Sequence, residues 1–381
     1  MTMRHVPSSD AGHFGVDADI TTAATIAPSF YVDEAAHALA RERIFARSWQ
    51  WIGDLADVTQ PGSLSPREML PGCLDEPLLL ARDAGGELRC LSNVCTHRGN
   101  LLVKAPCHAE QIRCSYHSRR FDLRGRMTFM PEFDGAKNFP SPADHLPQVP
   151  LERFGDLAFA AIEPVAALES FLGDVRRRIG WMPLTQFRLD PSRSRDYDVD
   201  AHWALYVENY LEGFHVPFVH ADLNQLIDYG SYRSELFRYA NLQLALARDG
   251  EAAFELPPQS PDHGQRVAAY YFWVFPNLML NFYPWGLSLN LVQPQGIART
   301  RVAFRAYVWD ASRLDGGAGS ALHQVEMEDE AVVQAVQRGV RSRWYRGGRY
   351  SPTREQGVHH FHRLLGEFMA PTAPTSRAAG A

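Results

Sequence analysis

Residues 95–97 read Cys-Thr-His and residues 114–117 read Cys-Ser-Tyr-His, so two short stretches of the chain each offer one thiol and one imidazole. Sixteen residues separate His97 from Cys114, and two neighbouring loops of this kind can converge on one site. Two cysteines and two histidines suit either a zinc ion or an iron–sulfur cluster. Zinc fingers pair like with like, whereas one Cys and one His from each loop favours a [2Fe–2S] cluster with thiolates on one iron and imidazoles on the other. Spacing alone leaves structural zinc, and loops without metal, as alternatives.

The sequence around these loops predicts a small all-β domain. From Trp49 to about Ala160, short apolar runs are separated by Gly, Pro and Asp residues, which commonly bound short strands. After Glu163, helices and strands come in separate blocks, and this favours an α+β fold over βαβ units. The expected elements are helices over 33–47, 165–179, 203–214 and 322–343, and four strands of an antiparallel meander between 267 and 309.

Length and composition restrict the class of protein. At 381 residues the chain is longer than a usual single domain, so two domains are expected. A formal net charge of -6 favours neither nucleic acid nor an acidic membrane as a partner. The sequence shows no secretory leader and no apolar run long enough to span a bilayer, so we expect a cytoplasmic protein without a membrane partner. The cysteines number five, and in a reducing compartment Cys73, Cys90 and Cys107 are expected to be neither disulfide-bonded nor ligands.

A second candidate metal site lies in residues 208–220, which hold His215 and His220. On an unbroken helix, side chains five residues apart point about 140° away from each other. Pro217 lies between them and disfavours helical geometry at the preceding residue, so His220 is expected to turn back toward His215. Two histidines and one carboxylate on one face, with open positions opposite, are typical of non-haem Fe(II) oxygenases.

Two acids could complete this set. Glu212 lies three residues before His215, and Asp329 falls on the apolar stripe of the helix expected over 322–343. An acid on an apolar face needs a cation or a hydrogen-bond donor, which favours Asp329 as a ligand. The same stripe predicts that the neighbouring acids, Glu326, Glu328 and Glu330, point elsewhere. A slightly different register of the helix would expose Asp329, so the residues alone leave the third ligand open.

These motifs together resemble the α subunits of ring-hydroxylating oxygenases. Residues 95–99, 114–117 and 121–125 are similar to their Rieske domain, and residues 208–220 and 328–339 to their iron-binding segments. The resemblance covers about residues 48–365. It implies a [2Fe–2S] cluster held by Cys95, His97, Cys114 and His117, and a mononuclear Fe(II) held by His215, His220 and Asp329.

The resemblance also implies domains and further roles. It predicts an N-terminal segment (1–47) whose helix packs on the catalytic domain, a Rieske domain (48–162) and a helix-grip catalytic domain (163–370). The composition of residues 371–381, rich in Ala, Pro, Thr and Ser, predicts a disordered tail. In such oxygenases the acid at Glu212 is not an iron ligand but joins the mononuclear site to a Rieske histidine, His117 or His97, of a neighbouring subunit. Glu212 and Asn209 are therefore the expected catalytic residues, and a homotrimer is the expected assembly.

One departure from the family pattern follows the second ligand pair. The family usually has Gly-Trp after the last histidine, whereas this chain has Ser118-Arg119 and then Arg120. The ligands themselves are unchanged, so the cluster prediction stands. The two arginines could surround the cluster, help a redox partner to dock, or form a solvated basic loop, and the sequence does not choose among these.

The implied chemistry is O₂ activation by an oxidoreductase, a mono- or dioxygenase that receives electrons one at a time. The chain has no Gly-x-Gly-x-x-Gly after a strand, so NAD(P)H is expected to act only through a separate reductase, with or without a ferredoxin. Alternatives from other classes are a non-catalytic Rieske electron-transfer protein and a zinc-stapled binding module.

The expected meander is rich in aromatic residues, which points to a small organic substrate. Aromatic faces bind quaternary ammonium groups, although aromatic stripes are more often sheet core. The region around 275–285 resembles choline, carnitine and glycine betaine oxygenases, and aromatic-ring dioxygenases are the competing branch. The candidate lining residues are Tyr271, Phe272, Trp273, Phe275, Phe282, Tyr283 and Trp285.

Overall fold

The computed structural model describes residues 14–226, 228–314, 316–319 and 322–371. The chain forms two compact units: one contains the residues up to Ile44 and those from Phe187 onward, and the other is Phe45–Gln186. The start of the N-terminal segment and residues 372–381 of the expected tail lie outside the described residues. Within the described ranges, no helix is both long and apolar enough to cross a bilayer.

The helices and strands are numbered in chain order. The α-helices are α1 (Glu34–Ala40), α2 (Glu169–Ile179), α3 (Trp203–Tyr210), α4 (Val216–Val219), α5 (Ala221–Leu226), α6 (Leu322–Gly339) and α7 (Gln356–Met369). The strands are β1 (Gln50–Asp54), β2 (Ser63–Met69), β3 (Glu76–Arg82), β4 (Leu88–Ser92), β5 (Cys107–His108), β6 (Ile112–Arg113), β7 (Arg120–Phe121), β8 (Met127–Phe129), β9 (Gln148–Val149), β10 (Leu151–Phe154), β11 (Leu157–Ala160), β12 (Arg188–Val199), β13 (Arg233–Leu236), β14 (Ala240–Leu246), β15 (Val267–Val274), β16 (Leu278–Tyr283), β17 (Gly286–Gly296) and β18 (Arg299–Val308).

The unit Phe45–Gln186 is built from short antiparallel strands. Its sheets have the orders β5-β2-β3-β4-β9, β6-β7-β8 and β1-β11-β10. Both cysteines of the two Cys/His stretches belong to its hydrophobic core, where Cys95 and Cys114 pack with Leu91, Ile112 and Phe121. The first Cys/His stretch follows β4 and the second joins β6 to β7, so the sheets hold both loops at one end of this core.

The other unit is built on one seven-stranded antiparallel sheet, in the order β12-β18-β17-β16-β15-β14-β13. Strands β15 to β18 are the expected meander, and the α+β fold with a small all-β domain is confirmed. Strand β12 was not predicted because most of its residues are exposed and a bulge between Asp190 and Arg195 interrupts the alternation. Helix α7 was also missed, although Val358, Phe361, Leu365 and Phe368 make an apolar stripe at helical spacing.

Residues 163–186, which we assigned to the catalytic domain, pack instead within the unit Phe45–Gln186. The Glu163 N–H donates to the Ala46 carbonyl at 2.9 Å, and Trp49 Nε1 donates to the Ala166 carbonyl at 2.9 Å. These hydrogen bonds hold residues 163–166 beside the start of β1, and α2, which follows them in the chain, therefore belongs to the small domain. The boundary between the compact units therefore lies later in the chain than the predicted one.

The N-terminal segment belongs to the same compact unit as the seven-stranded sheet. The aromatic rings of Phe30 and Tyr31 pack against the imidazole of His202, which caps α3. The Tyr31 hydroxyl donates to Glu208 at 2.7 Å on the next turns of that helix. Helix α1 follows directly and ends at Ala40, where a π-helical turn, Arg41–Phe45, continues it over most of the expected range.

Candidate iron sites

The two Cys/His loops share one local design. The Gly99 N–H donates to the Cys95 carbonyl at 2.9 Å, and the Ser118 N–H donates to the Cys114 carbonyl at 3.0 Å. Gly99 and Ser118 both have a positive φ, 69° and 60°, which closes each turn and holds its histidine on the side of its cysteine. Glycine adopts this conformation freely, whereas a non-glycine residue is disfavoured there by about 1–2 kcal/mol. The departure from glycine at position 118 therefore leaves the turn intact at an energetic cost.

The four side chains of these loops converge. The rings of His97 and His117 have centroids 4.7 Å apart, and the thiols of Cys95 and Cys114 are both buried and free of disulfides. The Nδ1 atoms of both histidines are buried and have no hydrogen-bond partner among the described residues. Because buried polar atoms are nearly always paired, two such nitrogens without partners on neighbouring rings fit ligation by a group outside the chain. The donor set, two thiols and two imidazole nitrogens, is the one that a Rieske cluster needs.

The surroundings favour the ligating protonation states of His97 and Cys114, although burial raises the pKa of the Cys95 thiol. Burial, followed by the charges of His117 and Arg119, lowers the pKa of His97, so the imidazole is neutral at physiological pH. Burial raises the pKa of the Cys114 thiol, but the backbone N–H groups of Tyr116 and His117 outweigh it, and the net pKa is lowered. Metals bind the neutral imidazole and the thiolate, so both shifts favour ligation.

Arg119 lies inside the small domain rather than in a solvated loop. Arg119 is 1% exposed to solvent, and its Nη2 atom lies 2.5 Å from Asp144 Oδ1. The backbone carbonyl of Asp144 also accepts a hydrogen bond at 2.8 Å from Thr96, which lies between the ligand residues of the first loop. Asp144 therefore ties the two loops together, through Arg119 on one side and Thr96 on the other. Arg120, the next residue, is half-buried and stacks over Phe129.

The second site forms where α3 ends and the single-turn helix α4 begins. Helix α3 stops at Tyr210, earlier than predicted, and His215 is the residue before α4. Pro217 lies in the first turn of α4, where its missing N–H costs nothing, so the break precedes His215 instead of following it. The helix therefore breaks at a different place from the predicted one, but His220 still lies next to His215, as predicted. The rings of His215 and His220 have centroids 5.1 Å apart.

Helix α6 brings Asp329 to these two histidines. Asp329 Oδ1 lies 3.0 Å from His220 Nε2 and 3.4 Å from His215 Nε2. One ligand atom from each of the three residues lies within 4.8 Å of the others, a spacing that can hold a metal ion. Burial would lower the pKa of His220, but Asp329 and Glu328 outweigh it and raise it. The negative charge that holds a proton there equally suits a divalent cation.

A second carboxylate orients each imidazole. His215 Nδ1 lies 2.7 Å from Glu212 Oε1, and His220 Nδ1 lies 2.6 Å from Glu328 Oε2. A carboxylate on the far nitrogen leaves Nε2 free to bind metal and fixes the ring plane, as is usual around metal-binding histidines. The prediction that Glu328 and Glu326 point away from this site was wrong, because Glu328 contacts His220 and Glu326 lines the pocket beside it, whereas Glu330 is buried away from that pocket. Helix α6 is buried on more than the one stripe because it also packs against α3.

A pocket opens beside His215, His220 and Asp329. Asn209, predicted to be catalytic, lines it together with Glu212. Of the seven predicted aromatic residues only Tyr271 and Tyr283 line it, because the side chains of a strand alternate between its two faces. Its other lining residues include the aromatic side chains Tyr206, Tyr210, Tyr232 and Phe304, the polar side chains Gln243, Asn281 and Asn290, and the carboxyl of Glu326.

Two family models match the chain in succession. The model of the Rieske [2Fe–2S] domain matches residues 48–140, and that of the ring hydroxylating alpha subunit (catalytic domain) matches residues 188–371. The chain belongs to the Rieske non-haem iron oxygenase α-subunit family. The cofactors of this Rieske oxygenase are a [2Fe–2S] cluster and a mononuclear iron, and the two candidate sites fit them by donor set and geometry.

This Rieske oxygenase is similar in sequence and fold to several known proteins. It is 28% identical over 366 residues to a chloroplastic choline monooxygenase of Arabidopsis thaliana, covering 90% of this chain and 82% of the relative. It is 27% identical over 357 residues to a carnitine monooxygenase oxygenase subunit of Escherichia coli, covering 90% and 93%. A crystal structure of a quaternary ammonium Rieske monooxygenase has the same fold, with a TM-score of 0.76, 23% identity, and coverage of 92% of this chain and 97% of that one.

Several contacts at the second site of this oxygenase could not be predicted from sequence patterns. The bond from His220 to Glu328 spans 108 residues, and the Tyr206 hydroxyl donates to Glu326 across 120 residues. Both acids lie within three residues of Asp329, so only the orientation of α6 distinguishes their roles. A helical plot cannot supply that orientation when the helix is buried on several sides.

Proposed function

We propose that this oxygenase hydroxylates, or oxidatively demethylates, a quaternary ammonium compound, using O₂ and electrons from a separate NAD(P)H-dependent reductase. The observation that carries the proposal is the pocket beside the two histidines and Asp329, which combines tyrosine rings with carboxylates. Aromatic faces and carboxylates attract an ammonium group that has no N–H to donate. The relatives named choline and carnitine monooxygenases act on compounds of this class and support it.

In this proposal Cys95, His97, Cys114 and His117 hold the [2Fe–2S] cluster. The unpartnered Nδ1 atoms of both histidines support this set. Cys73, Cys90 and Cys107 take no part. The cluster supplies single electrons, and the chain's own contribution is to keep the imidazoles neutral and the loops rigid.

His215, His220 and Asp329 hold the mononuclear iron, which supplies O₂ activation when bound. Glu212 and Glu328 keep the imidazole planes in position through their bonds to Nδ1. Asn209 lines the pocket, where its amide can hydrogen-bond to the substrate. The tyrosine rings exclude water from the position of the reacting carbon.

Glu212 has a second proposed role between subunits. One of its oxygens accepts from the His215 N–H and the other lies at His215 Nδ1, so the carboxylate is held rigidly at the mononuclear site. We propose that it also accepts a hydrogen bond from His117 or His97 of a neighbouring subunit, which requires an oligomer, and a homotrimer is our proposal. A related structure was described in terms of inter-subunit electron transfer, which supports this arrangement.

The remaining partners follow from the same chemistry. The chain lacks a Gly-x-Gly-x-x-Gly motif after a strand, so the reductase, with or without a ferredoxin, binds NAD(P)H itself. We place the protein in the cytoplasm and propose neither nucleic acid nor a membrane as a partner.

The first experiment is metal analysis of anaerobically purified protein, followed by a substrate screen. About three irons and two sulfides per chain, with a Rieske EPR spectrum, are expected. With a surrogate reductase, quaternary ammonium compounds should stimulate O₂ uptake and yield a hydroxylated or demethylated product. Asp329→Ala is the matched control, which should keep the cluster spectrum and lose both the mononuclear iron and the product.

Each other outcome selects a different function. Products formed only from aromatic hydrocarbons or aromatic acids would indicate a ring dioxygenase. A cluster without mononuclear iron in the wild-type protein would indicate an electron-transfer protein. A colourless protein that holds zinc would refute the oxygenase assignment.

A further inference from the structure

We propose that Glu326 binds the positive charge of the substrate and that the substrate carries no carboxylate of its own. This inference rests on the proposed function and deepens it, because it divides quaternary ammonium compounds into two classes. Amino alcohols such as choline belong to the favoured class. Zwitterions such as carnitine and glycine betaine belong to the disfavoured one.

Glu326 is a buried acid with one oxygen unused. It lies on α6, one turn before Asp329, and is 3% exposed. The Tyr206 hydroxyl donates to its Oε2 at 2.5 Å, whereas its Oε1 is buried and has no hydrogen-bond partner in the part of the chain that the structure describes. Leaving such an oxygen unsatisfied is unfavourable, because its lost hydration is not replaced. Because the residue also lines the pocket, a ligand there can supply a positive charge, or the hydroxyl of an amino alcohol, to this oxygen.

The other two acids of the pocket already have partners. Glu212 contacts His215, and Asp329 contacts both His215 and His220. Glu326 is the pocket acid that faces no histidine, arginine or lysine in any hydrogen bond or ion pair among the described residues. Glu326 is therefore the carboxylate of this pocket that is available to pair with a cationic ligand.

The electrostatics of Glu326 agree with a missing cation. Burial raises the pKa of Glu326 to about 8, against the opposing effect of the Tyr206 hydrogen bond, and Asp329 and Glu330 add to the rise. An ionised carboxylate is therefore costly here while the pocket holds no positive charge. A quaternary ammonium group removes that cost, because it brings a charge that it cannot lose by deprotonation.

The tyrosine rings complete a site for a methylated cation. Tyr210, Tyr232, Tyr271 and Tyr283 line the same pocket. The Tyr210 hydroxyl donates to Asn281 Oδ1 at 2.7 Å, so hydrogen bonds to the sheet fix the position of its ring. Ring faces attract methylated ammonium groups through the negative potential of the aromatic ring, and they need no N–H from the ligand.

A carboxylate in the ligand would lack a basic side chain as its partner in this pocket. Its described lining residues include Glu212, Glu326 and Asp329 but neither arginine nor lysine. A mononuclear iron would offset part of this negative charge, but a further carboxylate brought beside the three acids is repelled where no other cation compensates it. Carnitine and glycine betaine are therefore expected to bind more weakly than choline.

The test measures binding without turnover, on the iron-loaded enzyme kept anaerobic and without reductase. Calorimetry would compare choline, its neutral carbon isostere dimethylbutanol, and glycine betaine. Wild-type enzyme should bind choline at least tenfold more tightly than either of the others. Glu326→Gln should bind choline and dimethylbutanol with affinities within about threefold of each other.

Glu330→Gln is the matched control. Glu330 is also buried on α6, at 7% exposure, but it does not line the pocket among the described residues, so this variant should keep the preference for choline. Iron content and thermal unfolding of both variants show whether they fold. If Glu326→Gln does not fold, Glu326→Asp replaces it, and its shorter carboxylate should weaken choline binding at least threefold while dimethylbutanol binding stays the same.

The two proposals fail differently. If the wild-type enzyme binds glycine betaine as tightly as choline, or if Glu326→Gln keeps the preference for choline, the inference is overturned and the proposed function stands. If no ammonium compound binds, both proposals are overturned together.

Discussion

Replacing Arg119 by methionine removes the guanidinium but keeps an apolar side chain of similar length over Phe139. Asp144 then keeps its backbone position and loses the cation 2.5 Å from its Oδ1. Removing one partner of a fully buried ion pair costs about 3–5 kcal/mol, and because the Asp144 side chain is 20% exposed we expect the lower end, about 3 kcal/mol. For a unit of this size that corresponds to a fall of roughly 10 °C in the unfolding temperature.

The loss should be seen first at the cluster. Asp144 joins the two ligand loops, so the visible absorption of the cluster should bleach at a lower temperature in Arg119→Met than in wild type, at one scan rate. Asp144→Asn and the double variant complete a mutant cycle, and the double variant should be less destabilised than the sum of the single changes. The midpoint potential should fall in Arg119→Met, because a nearby positive charge favours the reduced cluster, and should rise in Asp144→Asn.

Two results would refute this reasoning. A fall of less than about 2 °C for Arg119→Met would show that the pair contributes no more than an exposed salt bridge. Additive effects in the cycle would show that Arg119 and Asp144 do not act on each other.

The stability that this ion pair contributes should also depend on pH. Burial would raise the pKa of Asp144, but hydrogen bonds from Ser141 and Arg119 lower it. In the wild-type protein the stability contributed by the ionised Asp144 should therefore be lost only when the pH falls below the ordinary range of an aspartate.

Glu328→Ala should weaken mononuclear iron binding about 10–100-fold, because His220 loses the carboxylate that orients it, while sulfide content stays unchanged; a chelator titration measures this. Burial, with a smaller effect of a neighbouring histidine, lowers the pKa of His202 to about 3. The unfolded chain therefore binds a proton that the folded one rejects, and stability should fall as pH drops below about 6.5, by up to about 1.4 kcal/mol per unit. Unfolding midpoints between pH 7 and 5 should show a shallower fall in His202→Gln, and an equal fall in both proteins would contradict this. Ser118→Gly should stabilise the small domain by up to about 1 kcal/mol and raise its unfolding temperature, because glycine adopts the positive φ of 60° without strain. The exposed hydrogen bond from Arg113 to the Ser118 hydroxyl is lost at little cost. An unchanged unfolding midpoint would show that this hydrogen bond offsets the gain.

Much of the fold was predictable because it is written in short-range patterns. Alternating apolar residues predicted the meander β15 to β18, and the Cys/His spacing predicted two loops that meet, since each turn closes within four residues. The pairing of His215 with His220 was also predictable, although the helix break lies before His215 and not at Pro217. Helix α7 was within reach too, because its apolar stripe is as regular as that of α6.

The sequence by itself indicated the two cysteines and two histidines of the first candidate site and the two histidines of the second, since residue type and local spacing define which atoms can act as ligands, but it left the third ligand of the second site open. Only the tertiary structure decided which acids of α6 face the site, which of the aromatic residues line the pocket, and that Arg119 is buried against Asp144. These features depend on how distant elements pack, as in the contacts from His220 to Glu328 and from Tyr206 to Glu326. The periodicity of a helix or strand indicates which residues share a face, but the packing of neighbouring elements determines which residues that face contacts.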